Sequence, residues 1–163
     1  MSLRLGSASK KAVDALGSQG FLMWGKPEVE IPDLPADVTS LSDEDLMLLF
    51  SCYTSWSDYI NGQVAAAQID ERALEKKVSR LQNLMLVRTT PAAGKTTVTA
   101  LKAEISVDPA VVELEDLVEE AYAYRKIIEN MAENLERDTA LVSRELTRRT
   151  NDFKSRRKDK WTT

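Results

Sequence analysis

Apolar residues recur at alternating intervals of three and four along two long stretches of this chain, a spacing that predicts helices with one continuous buried stripe. In the first stretch the apolar positions are Leu46, Leu49, Tyr53, Trp56, Ile60, Ala67, Leu74, Val78, Leu81 and Met85. In the second stretch they are Leu114, Leu117, Ala121, Tyr124, Ile128, Met131, Leu135, Val142 and Leu146. Two such stretches in a chain of 163 residues predict an all-α fold.

Capping signals divide this pattern into three helices. Ser42 followed by Asp45 is typical of a capping box, in which side chains satisfy the free amides of a first helical turn. Pro91 breaks the first stretch. Asp108 before Pro109 is a second start signal, because aspartate caps free amides and proline suits the first helical position. The predicted helices cover residues 42–87, 96–106 and 109–152.

The predicted architecture is an elongated antiparallel hairpin of the two long helices, with the short helix between them and coiled-coil-like packing. A helix over residues 42–87 would extend about 70 Å at 1.5 Å per residue. One short helix cannot cover two apolar stripes of that length, so we expect neighbouring copies to cover part of them. Self-association as a homo-oligomer is therefore part of the prediction.

Composition divides the chain into three parts. Four glycines and three prolines interrupt residues 1–38, so we expect a flexible N-terminal extension without a helix of useful length. Its apolar cluster at residues 21–24 docks either on the core of the same chain or on a partner. Residues 39–152 form the helical domain, and residues 153–163 form a basic C-terminal tail.

Positive charge is concentrated at the C-terminal end, although the net charge of the whole chain is −4. From Arg137 onward there are 9 basic and 4 acidic residues. Because exposed charges act over roughly 8 to 10 Å, this end can attract phosphates even on an acidic protein. The alternative is that these cations complement the negative end of the last helix, while early acids such as Glu113 complement its positive end.

The composition disfavours catalysis and metal binding. The chain has no histidine and one cysteine, Cys52, which excludes disulfide staples and ordinary zinc sites. Its paired carboxylates lie at helix starts without a histidine or serine elbow beside them, so we predict no enzyme, no catalytic residue and no cofactor. Gly94, Lys95 and Thr96 match the end of a phosphate-binding loop, but Thr89 stands where the motif needs a glycine, which favours a turn and a helix cap.

The sequence contains no signal for a membrane. No apolar run approaches the roughly 20 residues that span a bilayer, and the N-terminus lacks a signal-peptide core. We therefore expect a soluble, cytoplasmic protein in a reducing compartment.

Aromatic side chains set among cations are candidates for stacking on nucleic-acid bases. Tyr53 and Trp56 lie on the apolar stripe, which favours burial in the core. Tyr122 lies off the stripe. Trp161 lies within the basic tail, where no stripe continues, and is the better stacking candidate.

Arg144 and Arg148 are four residues apart and share one helix face, where two guanidinium groups suit neighbouring phosphates of a strand. The alternative is a salt bridge to Glu145 or to acids of a neighbouring subunit. The sequence leaves both interpretations open.

The order of the elements resembles that of UvsY-like recombination mediators of tailed bacteriophages. The shared features are a long helix at residues 56–85, a loop, a short helix at 97–105, a break at residues 107–109 and a last helix. In the last helix, residues 122–128, 135 and 140–149 follow the family's succession of aromatic, aliphatic, and then small and basic residues. The resemblance covers about residues 45–153, so the N-terminal extension and the tail from Arg156 have no counterpart.

The resemblance implies a homo-oligomer in the host cytoplasm that binds single-stranded DNA, remodels the single-strand binding protein and loads a RecA-like recombinase. Lys76, Lys77, Arg80, Arg144, Arg148 and Arg149 are the nucleic-acid-binding residues that it implies, and the basic tail adds Arg156, Arg157, Lys158, Lys160 and Trp161. One alternative is a virion assembly or structural protein of scaffold, connector or small terminase type. Another is a coiled-coil adaptor with no nucleic-acid role.

Overall fold

The computed structural model describes residues 6–21, 25–89 and 97–159, with side chains described as far as residue 154. Its α-helices are α1 (Ser7–Ser18), α2 (Asp43–Thr89), α3 (Val98–Ser106) and α4 (Pro109–Asp159), and a 3-10 turn covers Val38–Ser40. The described residues contain no β-strand. The two long helices pack against each other, so the prediction of an all-α helical hairpin is confirmed.

The starts of α2, α3 and α4 follow the capping signals in the sequence. Ser42 Oγ accepts a hydrogen bond from the Asp45 amide at 3.0 Å and donates one to the Asp45 carboxylate at 2.6 Å. Thr97 Oγ1 accepts from the amide three residues further on at 3.3 Å. Asp108 accepts from the amide two residues further on at 2.9 Å. Each of these three helices therefore begins where the residue directly before it caps the first turn.

The prediction for residues 1–38 is wrong about helix content, and the last helix extends beyond residue 152. Residues 7–18 form α1, although no helix was expected before residue 38. Gly6 and Gly17 lie at the ends of α1, and Gly20, with a φ of +87°, lies beyond it, so glycines bound this helix rather than interrupt it. At the other end of the chain α4 continues to Asp159, because no glycine or proline follows residue 152.

The chain folds into two compact units, and each long helix contributes to both. Unit one contains residues 25–62 and 128–159. Unit two contains the described residues of 6–21 and 63–127. The predicted helical domain, residues 39–152, is thus shared between two units.

The core of unit one follows the predicted apolar stripes. Its buried apolar side chains are Leu46, Leu49, Tyr53, Trp56, Ile60, Ile128, Leu135 and Val142. Tyr53 Oη donates to the carbonyl of Pro32 at 3.0 Å, and Trp56 Nε1 donates to the carbonyl of Val29 at 2.8 Å. Burial is the main cause that raises the pKa of Tyr53. Both aromatic residues therefore belong to the core, as predicted, and they tie the proline-rich segment to α2.

The core of unit two joins α2, α3 and α4. Its buried cluster and the partly buried side chains packed on it are Val78, Leu101, Ile105, Val111, Leu81, Met85, Leu86, Leu114 and Val118. Glu71 on α2 pairs with Arg125 on α4, and Gln82 on α2 donates to Glu115 on α4 at 3.1 Å. Glu71 precedes Gln82 on α2, whereas its partner Arg125 follows Glu115 on α4. The two helices therefore run antiparallel in this unit.

The carboxylate of Asp70 holds α1 on unit two. It accepts hydrogen bonds from the Gly6 amide at 2.7 Å, the Ser9 amide at 2.9 Å and the Ser9 hydroxyl at 2.5 Å. These amides begin α1 and have no partner within the helix. A Cβ at residue 6 would lie 2.5 Å from Asp70 Cγ, so this close approach requires glycine. Burial raises the pKa of Asp70, but these hydrogen bonds outweigh burial and leave the pKa below its usual value.

Candidate nucleic-acid interface

Two of the predicted C-terminal arginines of unit one are engaged by carboxylates. Glu145 is only 6% exposed and accepts from both Arg148 and Arg149 on the next turn of α4. Arg148 donates to Glu145 through Nε at 2.8 Å and Nη2 at 2.7 Å, and to Asp152 through Nη1 at 2.9 Å. Arg149 donates to Glu145 through Nε at 2.8 Å. For Arg148 the structure contains the salt bridge that the sequence left as an alternative, and Arg149 makes the same bridge.

Arg149 also joins three elements of unit one. Its Nη1 donates to Asp43 at the start of α2 at 2.6 Å, and its Nη2 donates to the carbonyl of Thr39 in the 3-10 turn at 2.9 Å. The planar fork of a guanidinium group can hold several acceptors at once. Arg149 therefore fastens the last turns of α4 to the beginning of α2.

These contacts shift the titration of the groups involved. Hydrogen bonds from Arg148, and then from Arg149, lower the pKa of Glu145 from 4.5 to about 2. The hydrogen bond to Glu145 raises the pKa of Arg148. Hydrogen bonds to Asp43 and then Glu145 raise the pKa of Arg149. All these side chains are charged at neutral pH, and the positive charge of both arginines is offset by adjacent carboxylates.

The structure describes the side chain of only one of the other residues predicted at this end. Arg144 is exposed and makes no ion pair with any described residue. The side chains of Arg156, Arg157 and Lys158 lie outside the described part of α4, and residues 160 and 161 lie outside the described chain. Their role as nucleic-acid contacts stays a prediction.

A row of exposed cations lies on α2 in unit two. Arg72, Lys76 and Arg80 are spaced four residues apart, so they share one side of the helix, and Lys77 flanks them. All four are exposed, and none has an ion pair or a side-chain hydrogen bond to a described residue. We call these four residues the α2 basic face. Three of them were predicted through the resemblance; Arg72 was missed, although its spacing from Lys76 is a signal in the sequence.

Acidic residues near the α2 basic face do not neutralise it. From Arg72 to Arg88, α2 carries five basic residues and one acidic residue, Glu75. The preceding Glu71 is only 8% exposed and points toward α4, where Arg125 binds both of its carboxylate oxygens. Glu71 is thus already paired with α4, and Glu75 is the one carboxylate among five cations, so the exposed side of α2 keeps a net positive charge.

Two described aromatic residues lie beside cations. Tyr122 is 48% exposed, and the charged groups of Arg125 and Lys126 lie 5.1 and 5.9 Å from its ring centre. Trp56 is buried, with Lys26 Nζ 5.6 Å from its ring centre. Both are cation–π contacts, but only Tyr122 presents a ring surface on which a base could stack.

The remaining candidates for chemistry add no further site. Within the described residues, no group of three or more histidine, cysteine, aspartate or glutamate side chains is placed to hold a metal ion. Cys52 is partly exposed, and its thiol lies 3.8 Å from the carbonyl of Glu30. The glycine, lysine and threonine at residues 94–96, the turn predicted after residue 90, and residues 22–24 of the apolar cluster lie outside the described residues.

None of the described helices is both long enough and apolar enough to cross a bilayer.

What the α2 basic face can bind follows from its own geometry and charge. Comparisons with protein families, with curated proteins and with solved structures found no match to this chain.

Proposed function

We propose that this protein binds single-stranded DNA without enzymatic activity, as a homo-oligomeric recombination mediator of the UvsY-like type. The observation that carries the proposal is the α2 basic face, where four exposed cations without described partners lie on about two and a half helical turns. Such a surface fits a flexible polyanion, because phosphate contacts require positive charge and reach but no fixed base sequence.

The spacing of the cations suits successive phosphates. Side chains four residues apart on a helix have Cβ atoms about 5 to 6 Å apart, so neighbouring cations of the α2 basic face can each contact a different phosphate. Each contact with single-stranded DNA lowers the salt exponent of binding by about 0.7, so four contacts give a slope of about −3. Tyr122 on α4 adds an exposed ring in the same unit.

Oligomerisation makes such weak sites effective. Copies that bind one strand together raise the total affinity without any new contact to DNA. Unit one supports self-association because large apolar side chains remain exposed there; Met47 is 54%, Leu48 65% and Phe153 70% exposed. A RecA-like recombinase and a single-strand binding protein are the further partners that the resemblance implies.

Fluorescence anisotropy with a labelled single-stranded oligonucleotide, measured over a range of salt concentrations, tests the proposal. In the test variant Arg72, Lys76 and Arg80 are each replaced by glutamine, which keeps helix propensity and removes charge. We expect a loss of affinity of about tenfold or more at low salt, together with a shallower salt slope, because three phosphate contacts are removed.

A matched control removes the same charge from other exposed positions of unit two, with glutamine at Lys10, Lys11 and Lys102. We expect its affinity to stay within about threefold of the wild type. An equal loss in both variants would show that net charge, rather than the α2 basic face, governs binding. A wild-type preference for duplex DNA would favour a virion protein that meets packaged DNA, and no binding to either form would favour the coiled-coil adaptor.

A further inference from the structure

Unit two carries a second charged surface, of opposite sign, on α4. From Glu113 to Glu120 this helix has five acidic residues and no basic residue. Glu113, Asp116 and Glu119 are exposed at intervals of three, and none has an ion pair or a side-chain hydrogen bond to a described residue. We call these three residues the α4 acidic row. One unit thus presents two complementary surfaces, both with unpaired charges.

Both surfaces point away from the core of unit two. Val78 on α2 and Val111 on α4 are buried in the apolar cluster. At 3.6 residues per turn, Lys76 projects from the side of α2 opposite Val78, and Glu113 projects from the side of α4 opposite Val111. The acidic row of one copy therefore faces outward, away from the helix that carries the basic face of the same copy.

The spacing of the two surfaces suits helix packing. On a helix surface, side chains four residues apart form one set of ridges and side chains three residues apart form another. The cations of the α2 basic face follow a ridge of the first set, and the α4 acidic row follows a ridge of the second set. Helices that pack ridges of these two types together cross at roughly 20°, so they run nearly aligned. Three cations can then meet three carboxylates along about 9 to 12 Å of helix.

Exposed apolar side chains accompany both charged surfaces. Val87 and Ile69, on the same side of α2 as Lys76, are 77% and 41% exposed. Val112, four residues before Asp116 and on the same side of α4, is 40% exposed. A phosphate strand gains little from these side chains, whereas a protein helix that packs on them removes apolar surface from water. These apolar side chains therefore favour a protein helix as a second ligand of the α2 basic face, besides DNA.

We propose that the α4 acidic row of one copy docks on the α2 basic face of a second copy. Because two different surfaces meet, the contact is heterologous, and it builds chains or rings rather than two-fold dimers. The carboxylates take the place of phosphates, so a neighbouring copy and a DNA strand compete for the same cations. This competition rests on the proposed function, whereas the contact between copies does not.

Sedimentation velocity of the full chain at low and high salt tests the contact through charge exchange. The basic-face variant carries Arg72→Glu, Lys76→Glu and Arg80→Glu, and the acidic-row variant carries Glu113→Lys, Asp116→Lys and Glu119→Lys. Each variant alone has like charges on both surfaces, so we expect association to weaken about tenfold or more. An equimolar mixture places opposite charges across the contact again and should associate as strongly as the wild type.

Lysines near the start of α4 oppose its helix dipole, so the acidic-row variant needs a milder counterpart. Glutamine at the same three positions removes the charges with less disturbance and should weaken association about fivefold. Circular dichroism checks that each variant keeps its helix content. The proposal is overturned if the wild type is monomeric at low salt, if both reversed variants associate like the wild type, or if their mixture fails to associate.

Anisotropy with single-stranded DNA separates this inference from the proposed function. The acidic-row glutamine variant should bind the strand at least as tightly as the wild type, because a competitor for the cations has been removed. If the mixture associates but no protein binds DNA, the contact between copies stands and the proposed function fails. If the basic face binds DNA but the mixture associates no more strongly than either reversed variant alone, the function stands and the contact fails.

Discussion

The C-terminal arginines of unit one and the α2 basic face of unit two present similar sequence patterns in different surroundings. Arg148 and Arg149 follow a buried glutamate that points toward them and binds both. Arg72 follows Glu71, which points instead toward Arg125 on the neighbouring helix. Glu145 precedes these arginines by three and four residues, the spacing at which helical side chains meet, whereas Glu71 directly precedes Arg72 and leaves α2 on another side. This spacing holds Arg148 and Arg149 within the fold and leaves Arg72 available to a partner.

This difference changes what a phosphate must displace. A strand that binds Arg149 has to break its contacts to Asp43 and Thr39 and take one of the two arginine partners from the buried carboxylate of Glu145. Weakening the pairing of a buried charge is unfavourable. A strand that binds Lys76 displaces water and small ions. The two regions therefore predict opposite responses to the same kind of substitution.

Glutamine at both Arg148 and Arg149 should have the largest effect on stability. We expect the thermal unfolding midpoint to fall, because Glu145 loses both partners and the end of α4 loses its contacts to α2. Affinity for single-stranded DNA should change by less than about twofold, in contrast to the loss of about tenfold or more for glutamine at three positions of the α2 basic face. Differential scanning calorimetry and anisotropy on one preparation provide both measurements.

A tenfold loss of affinity in a variant with an unchanged unfolding midpoint would contradict this difference between the two regions. It would mean that Arg148 and Arg149 leave their carboxylates in solution. Arg144→Gln is the useful reference on the same helix, since Arg144 is exposed and has no described ion pair.

The sequence predicted the positions of the long helices well, because their stripes and capping residues are local signals. Tyr53, Trp56 and Ile60 are buried as expected. Leu117 was expected to be buried but is 43% exposed, since periodicity gives the side of a helix and not the partner that covers it. The helix α1 was missed because its amides are capped by Asp70, 61 residues beyond Ser9, and no local pattern contains that contact.

The candidate site was predictable only as a set of cations. Spacing and resemblance indicated Lys76, Lys77 and Arg80 among the binding residues, and these are exposed. The same kind of reasoning indicated Arg149, which makes contacts 106 and 110 residues away along the chain. Spacing within α4 indicated a salt bridge to Glu145 as an alternative, but the contacts of Arg149 to Asp43 and Thr39 depend on which elements meet in space, and spacing along the chain does not give that.

Asp70 differs from Glu145 because neutral hydrogen-bond donors hold its carboxylate, rather than cations. Asp70→Asn should lower the unfolding free energy of unit two by about 1 kcal/mol, because the amide replaces one acceptor oxygen with a donor at the cap of α1. Hydrogen exchange of the α1 amides, resolved by mass spectrometry, should increase selectively. We expect this loss to depend little on salt, unlike the loss from removing the ion pairs of Glu145.

Asp14→Asn provides the control, because Asp14 is an exposed residue of α1 outside its first turn. It removes the same charge and leaves the cap in place. Faster exchange of α1 in this control, equal to that in Asp70→Asn, would show that charge rather than capping holds the helix.

The smallest expected effect is the pH dependence of the Glu145 ion pairs. The pKa of Glu145 is about 2 in the folded chain against an ordinary 4.5, so the unfolded chain binds this proton first as pH falls. The stabilisation is therefore complete above about pH 4.5 and is lost progressively toward about pH 2. The difference in unfolding midpoint between the wild type and Glu145→Gln should shrink over this window, and an NMR titration of the carboxyl carbon measures the pKa directly. A titration midpoint of Glu145 near pH 4.5 would mean that Arg148 and Arg149 are unpaired in solution. These two arginines would then be as available to a phosphate strand as the cations of unit two.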